Sequence, residues 1–269
     1  MFTPKYYYVP LRLWSQTDFQ PQIPPEFAPY FVIAEKVGRY VFTEGEINFI
    51  FQDNVAVHTK RLINYLYNIT LPDILDKSII ERMLWMHDLP EAIINEERGS
   101  DYVTHEKNAD EVLGDLQDSL EEKAAKEMFD VADFALFYQT EVAKKKIKKA
   151  DWSDLDIYKN SIFAKMLDWI DSRNKFTYVT TEWIAHPDYE THPVLPPFDT
   201  IRLCMLESYQ VWMADFAQIE DQEFRDFMLG FIHDEMYDFH RLRWDAVIQL
   251  VPSEIQEMYH AFVDFWKTR

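Results

Sequence analysis

From residue 53 onwards, apolar side chains recur at steps of three and four residues, which is the spacing of an amphipathic helix. In the first such stretch, residues 53–69, one helical face carries Val55, Leu62 and Leu66. The next stretch, residues 76–88, ends in His87-Asp88. Further helices are predicted at 105–128, 130–140, 142–172 and within 200–269. The pattern therefore predicts an all-α fold.

The other segments lack this helical period. Residues 1–30 are rich in tyrosine and proline and predict an extended arm packed on the core, while residues 31–51 fit a strand or a helix equally well. Residues 95–104 predict a loop, and the prolines within 173–200 predict a long connection, either a lid or a linker. The predicted organisation is an arm at 1–34, a central domain at 35–180, and a linker with C-terminal helices at 181–269. The last two are expected to form one compact unit.

Composition narrows the classes of function. Apolar residues make up 48% of the chain, enough for a well-buried core, and only five glycines occur, which argues against a glycine-rich phosphate loop. The formal charge of −20 disfavours polymeric nucleic acid and anionic membranes as partners. The single cysteine, Cys204, cannot form an intrachain disulfide. No apolar run reaches the roughly 18 residues of a membrane span. We therefore expect a cytoplasmic protein.

A His-Asp dipeptide occurs twice, at His87-Asp88 and at His233-Asp234. Histidine and aspartate are common enough here for one such pair to arise by chance, so the surrounding residues must distinguish them. The second pair has no matching histidine upstream or aspartate downstream, and a structural role is predicted for it. The first pair follows a helix with His58 and precedes an apolar helix with Asp168.

These residues resemble the HD-domain metal-dependent phosphohydrolases, in which a lone His, a His-Asp pair and a distant Asp lie on different helices. The resemblance covers residues 35–180 and is closest to the 5′-deoxynucleotidase-like branch, which has Val-Ala-Glu-His, a Glu three residues after the pair, and Gly-Asp-x-x-Thr-Pro-x-Lys. The corresponding stretches here are Val55-Ala56-Val57-His58, His87-Asp88-Leu89-Pro90-Glu91 and Ser100-Asp101-Tyr102-Val103-Thr104-His105-Glu106-Lys107. Three residues depart from the family pattern: Val57, Ser100 and His105. The resemblance implies an HD-domain helical bundle, with the N-terminal arm and the additional C-terminal helices outside it.

The resemblance also implies one divalent metal ion. Its ligands would be His58, His87, Asp88 and Asp168, with Asp171 as a supporting or capping group. Two imidazoles and two carboxylates form a mixed nitrogen and oxygen site that suits Mn, Co, Fe, Ni, Zn or Mg. A metal ion would lower the pKa of a bound water and offset charge on a phosphoryl oxygen.

Further roles follow from the same resemblance. Glu91 is expected to act as a general acid and base or to orient the attacking water, and Asp101 to hold a leaving-group or sugar hydroxyl. Arg39 and Lys107 are candidate phosphate contacts. His105 is expected to be an ordinary surface histidine rather than a second metal ligand. The basic cluster at 144–149 is expected to be a solvated helix face.

The leading hypothesis is an enzyme that releases phosphate from a nucleotide, most simply a (deoxy)nucleoside 5′-monophosphate. One alternative is a nucleoside triphosphohydrolase or a phosphodiesterase for a small nucleotide. Another is a non-catalytic HD module that binds metal or nucleotide. The expected partner is a small nucleotide, and a homodimer is the candidate assembly.

Overall fold

The computed structural model describes residues 5–6, 21–38, 42–44, 47–49, 54–96, 111–191, 193 and 195–267. Residue contacts divide the chain into two compact units. Unit A comprises the described residues within 10–41 and 50–166, and unit B those within 1–9, 42–49 and 167–269. Both units are built mainly of helices, so the all-α prediction is confirmed.

The described part of unit A consists of helices. They are α1 (Ala28–Ala34), α2 (Val55–Asn68), α3 (Lys77–Met86), α4 (Leu89–Ile94), α5 (Glu111–Met128), α6 (Val131–Lys149) and the first part of α7 (Leu155–Ile184). Helix α3 packs against α2 and α6, and α4 packs against α1 and α5. The apolar faces predicted for α2 and α3 meet in this core, where Leu62, Ile63, Met83 and Leu84 are buried. Burial of these side chains holds α2 and α3 side by side.

Three helices of unit A begin at residues that cap them. Asn54 accepts a hydrogen bond from the backbone of Val57 at 2.8 Å at the start of α2. Asp76 accepts from Ser78 and Ile79 at the start of α3, and Asp130 caps α6 in the same way. These side chains satisfy backbone N–H groups that a helix cannot pair internally. Helices α2 and α3 consequently start within two residues of their predicted positions.

Unit B contains the rest of α7, a small sheet and the C-terminal helices. The sheet has the order β1 (Lys5–Tyr6), β3 (Ile47–Phe49), β2 (Phe42–Glu44), with β1 parallel and β2 antiparallel to β3. The C-terminal helices are α8 (Phe198–Arg202), α9 (Ser208–Phe216), α10 (Gln222–Ile232), α11 (Asp238–Asp245) and α12 (Ser253–Lys267). Two π-helical turns, Leu203–Glu207 and His233–Tyr237, connect α8 to α9 and α10 to α11.

Several predicted boundaries are wrong. The predicted helices at 130–140 and 142–172 are instead α6 and α7, since Thr140 and Ala143 are both buried within α6. Left-handed backbone at Ala150 and Asp154 separates the two helices. The connection predicted at 173–200 starts only after Ile184, because buried apolar residues continue α7 to that point.

Two N-terminal predictions also change. Residues 28–30 belong to α1 rather than to an extended arm. The ambiguous stretch at 31–51 contains the end of α1 and the short strands β2 and β3. Among the described residues, no helix has the length and apolar character needed to cross a membrane. The predicted domain boundaries at 34/35 and 180/181 remain predictions.

Candidate metal centre

The His-Asp pair lies where the chain passes from α3 to α4. His87 ends α3, and Asp88 occupies the N-cap position of α4, where Pro90 lies in the first turn. Proline is tolerated there because the first turn needs no internal N–H donor, so the predicted restart of the helix is confirmed. Asp88 makes no side-chain capping bond, although aspartate is a common cap. Its carboxylate is directed elsewhere.

The Asp88 carboxylate faces two imidazole rings. Asp88 Oδ2 lies 3.2 Å from His87 Nε2 and 3.6 Å from His58 Nε2. His58, on α2, is completely buried, and its Nε2 lies 3.2 Å from Nε2 of His87. The cap of one helix and the buried face of another therefore bring three polar side chains together.

Asp168 on α7 completes the group. Each of His58, His87, Asp88 and Asp168 offers one ligand atom, and these four atoms all lie within 4.8 Å of one another. Asp168 is itself buried, flanked along α7 by the buried Leu167 and Ile170. A buried carboxylate next to a second one is costly unless a cation or hydrogen bonds compensate its charge. This buried group could hold a metal ion.

The spacing of the ligand atoms of His58, His87 and Asp88 fits a transition-metal ion. Ligand atoms bound at about 2.1 Å and separated by about 90–110° lie roughly 3.0–3.4 Å apart. The distances of 3.2, 3.2 and 3.6 Å among His58, His87 and Asp88 are close to this range. The donor atoms and the three distances are both those expected of a divalent transition-metal site, but they do not distinguish one metal from another.

Hydrogen bonds behind the rings orient both imidazoles. His87 Nδ1 donates to the backbone oxygen of Leu84 at 2.7 Å, so Nε2 is the nitrogen with the lone pair, as in many metal-binding histidines. Arg61 Nη2 lies 3.3 Å from His58 Nδ1, and because a guanidinium can only donate, Nδ1 accepts. His58 Nε2 then carries the hydrogen towards His87. If both Nε2 atoms bound a metal ion, the His58 proton would have to move to Nδ1, and Arg61 could then no longer donate to that atom.

Arg61 is the site residue that sequence reasoning missed. It is buried one helical turn after His58 on α2. The signal was present in the sequence, since side chains three residues apart lie on the same helical face. The contact of Arg61 with His58 Nδ1 at 3.3 Å makes this arginine part of the surroundings of the site.

The other predicted site residues have different outcomes. Glu91 is partly buried in the first turn of α4, one turn beyond Asp88, and its catalytic role remains a prediction. Asp171 is buried on α7, one turn beyond Asp168. Four residues, Arg39, Asp101, His105 and Lys107, lie outside the described residues.

The second His-Asp pair differs sharply from the first. The side chains of His233 and Asp234 are 43% and 77% exposed, and His233 Nδ1 lies 2.9 Å from Asp234 Oδ1. Neither residue belongs to a potential metal-binding group among the described residues. This pair is a surface feature of the π-helical turn that contains it.

The basic cluster at 144–149 is only partly the solvated face that was predicted. Lys145, Lys148 and Lys149 are exposed, but Lys146 is buried. Lys146 Nζ donates to the backbone oxygen of Ser153 at 2.7 Å and lies 3.3 Å from Asp151. The prediction is therefore wrong for Lys146, which ties the end of α6 to the connection that follows it.

Comparison with known proteins gives no match: no protein-family model, no curated protein and no solved structure matches this chain significantly. The resemblance to HD-domain phosphohydrolases therefore rests on the motif residues. The local geometry of His58, His87, Asp88 and Asp168 is the structural basis for assigning a function.

Proposed function

We propose that this protein is a divalent-metal-dependent phosphohydrolase that releases phosphate from a nucleotide, most simply a (deoxy)nucleoside 5′-monophosphate. The observation that supports the proposal is the buried group of His58, His87, Asp88 and Asp168. Its mixed nitrogen and oxygen donors suit a hydrolytic metal. The resemblance of the motifs to the HD family supplies the substrate class.

The residues of the site would have different roles in hydrolysis. When bound, a divalent ion would lower the pKa of a coordinated water and offset negative charge on the phosphoryl group. Asp88 would supply negative charge to hold the ion, and the hydrogen bond from His87 to Leu84 would fix the imidazole in the ligating orientation. Glu91 would accept the proton of the attacking water.

Metal content and phosphate release together test the proposal. The purified protein is analysed for bound metal, stripped with chelator, and assayed on nucleoside mono-, di- and triphosphates with Mn, Co, Zn or Mg. We expect inorganic phosphate from monophosphates, loss of activity after chelation, and recovery with metal. Asp88→Asn should abolish metal retention and activity. Asp234→Asn, the same change in the exposed pair, should leave both intact.

Other products would identify the alternatives. Pyrophosphate or tripolyphosphate from triphosphates would indicate a triphosphohydrolase, and a monophosphate from a cyclic or dinucleotide substrate would indicate a phosphodiesterase. Metal retention without turnover of any nucleotide would favour the binding module. Failure of the wild-type protein to bind any of these metals would refute the proposed centre.

A further inference from the structure

Arg173, on α7 in unit B, has no carboxylate partner among the described residues. Its Nε donates to Ser208 Oγ at 3.1 Å, and its guanidinium carbon lies 5.8 Å from the centroid of the Trp212 ring. The other described arginines of unit B each form an ion pair with an aspartate or glutamate: Arg202, Arg225, Arg241 and Arg243. The chain has 47 acidic and 27 basic residues, so carboxylates are plentiful. Arg173 is thus a partly buried cation with spare N–H donors.

The residue that follows Ser208 carries a buried hydroxyl. Tyr209 follows Ser208 on α9, is completely buried, and its hydroxyl has no hydrogen-bond partner in the described part of the chain. Its ring centroid lies 5.4 Å from that of His240 and 5.7 Å from that of Trp266, so surrounding rings hold the phenol in place. Burial raises the pKa of Tyr209 well above its ordinary value, which keeps the phenol a neutral donor.

Among the described residues, no carboxylate forms an ion pair with Arg173, and two groups that feel its charge, His240 and Cys204, are not anions. His240 is buried between Asn174 and Thr177, with its Nε2 3.0 Å from Asn174 Oδ1 and its Nδ1 3.2 Å from Thr177 Oγ1. Burial, with the charge of Arg173 as the smaller cause, lowers the pKa of His240 to about 3, so the ring is neutral at pH 7. The charge of Arg173 also acts on the Cys204 thiol, whose pKa is nevertheless raised by burial. An anion would complete this local arrangement electrostatically.

The backbone before Ser208 is also unusual. The π-helical turn Leu203–Glu207 leads directly into α9, which begins with Ser208 and Tyr209. π turns inside α-helices occur frequently at functional sites, because the extra residue re-aims the side chains that follow it. Ser208 and Tyr209 are the first residues that this turn directs.

We propose that Arg173, Ser208 and Tyr209 form a binding site for a small oxyanion, the terminal group of a carboxylate or phosphate ligand. The Nη atoms of Arg173 would donate in parallel to two oxygens, the geometry that guanidinium groups favour. Ser208 Oγ accepts a hydrogen bond from Arg173, and its own hydroxyl hydrogen would donate to the oxyanion. The hydroxyl of Tyr209 would donate a further hydrogen bond to it. The site is independent of the proposed hydrolase activity.

The test uses the full chain in chelator, so that binding to a metal cannot interfere. Inorganic phosphate and, separately, acetate are titrated by calorimetry, with tryptophan fluorescence as a second readout because Trp212 lies beside Arg173. We expect saturable binding of at least one probe. Loss of a charge-assisted pair of bonds should weaken it by about 10–100-fold in Arg173→Gln, and loss of the hydroxyl by a smaller factor of about 3–10 in Tyr209→Phe.

Matched variants keep the result interpretable. Arg241→Gln removes a guanidinium that is already paired with Asp245, outside the π-helical turn Leu203–Glu207, and should leave affinity unchanged. Arg173→Lys retains the positive charge but not the two parallel N–H donors, so it should also bind the anion more weakly. This variant takes the place of Arg173→Gln if the glutamine variant does not fold. Binding of phosphate alone would assign a phosphoryl ligand, and binding of acetate would assign a carboxylate. Absence of saturable binding, or equal affinity in both Arg173 variants and the wild type, would overturn the proposal.

Discussion

Replacing Asp88 with asparagine should remove metal binding and at the same time make the metal-free protein more stable. Asp88 makes no side-chain capping bond, and asparagine is nearly the same size as aspartate, so the start of α4 should be preserved. The negative charge is removed from a site where an oxygen of Asp168 lies within 4.8 Å of the Asp88 ligand atom. The substitution therefore measures how much the repulsion between the two carboxylates destabilises the metal-free protein.

The size of the effect follows from that distance. At an effective dielectric constant of about 20, two unit charges 4.8 Å apart repel by about 3.5 kcal/mol, and the two ligand atoms are no farther apart than this, so removing one charge should raise the free energy of unfolding by roughly that amount. A metal present at a hundred times its dissociation constant should stabilise the wild type alone by about 2.7 kcal/mol. The metal-loaded wild type and the Asp88→Asn variant should thus have similar stability, and the metal-free wild type should be the least stable.

Urea unfolding followed by tryptophan fluorescence, in chelator and with added Mn or Co, measures all three states. Asp234→Asn is the control, since that exposed carboxylate should change neither the midpoint nor its response to metal. Lower stability of Asp88→Asn than of the wild type in chelator would contradict this expectation. So would a metal-induced shift of the unfolding midpoint that is as large in the variant as in the wild type.

Four further substitutions test interactions inside each of the two units. Arg82→Lys should lower the free energy of unfolding by about 1–3 kcal/mol in urea titrations, because lysine cannot replace the two parallel bonds of 2.8 and 2.6 Å to the buried Asp133. Burial lowers the pKa of His240 to about 3, so between pH 6.5 and 3 this histidine is protonated in the unfolded chain but not in the folded protein. The free energy of unfolding should therefore decrease by about 1.4 kcal/mol for each unit by which the pH is lowered through this range. His240→Gln should flatten that slope, and an unchanged slope would contradict the assignment. Thr180→Val removes a buried hydroxyl without a described partner, so it should leave the melting temperature unchanged or raise it. Thr177→Val breaks the hydrogen bond to His240, so it should lower the melting temperature. Equal effects of the two substitutions would contradict this expectation.

The parts of the fold that sequence could predict are those fixed by local pattern. The apolar period locates the starts of α2 and α3 to within two residues, and the structure adds that Asn54 and Asp76 cap them. The His-Asp pair and Pro90 mark the break between α3 and α4. These signals lie within a few residues of the feature they predict, and for this reason they could be identified without a structure.

Features that depend on unusual backbone or distant partners could not be predicted in this way. The separation of α6 from α7 depends on left-handed backbone at Ala150 and Asp154, which are not the glycines that usually signal it. The proximity of Asp168 to the His-Asp pair depends on tertiary packing, and its selection over neighbouring aspartates came from the motif resemblance. The role of Lys146 depends on Ser153, which lies beyond the end of its helix.

The π-helical turn Leu203–Glu207 has a consequence for how this chain can change in evolution. A π turn contains one residue more than the α-helical turn it replaces, and one residue corresponds to about 100° of rotation around a helix. Deleting a single codon within 203–207 would restore regular helix and turn Ser208 and Tyr209 away from their present directions. Such a deletion would alter neither side chain. Insertion or deletion of one codon is therefore a genetic route by which this helix could gain or lose a polar site.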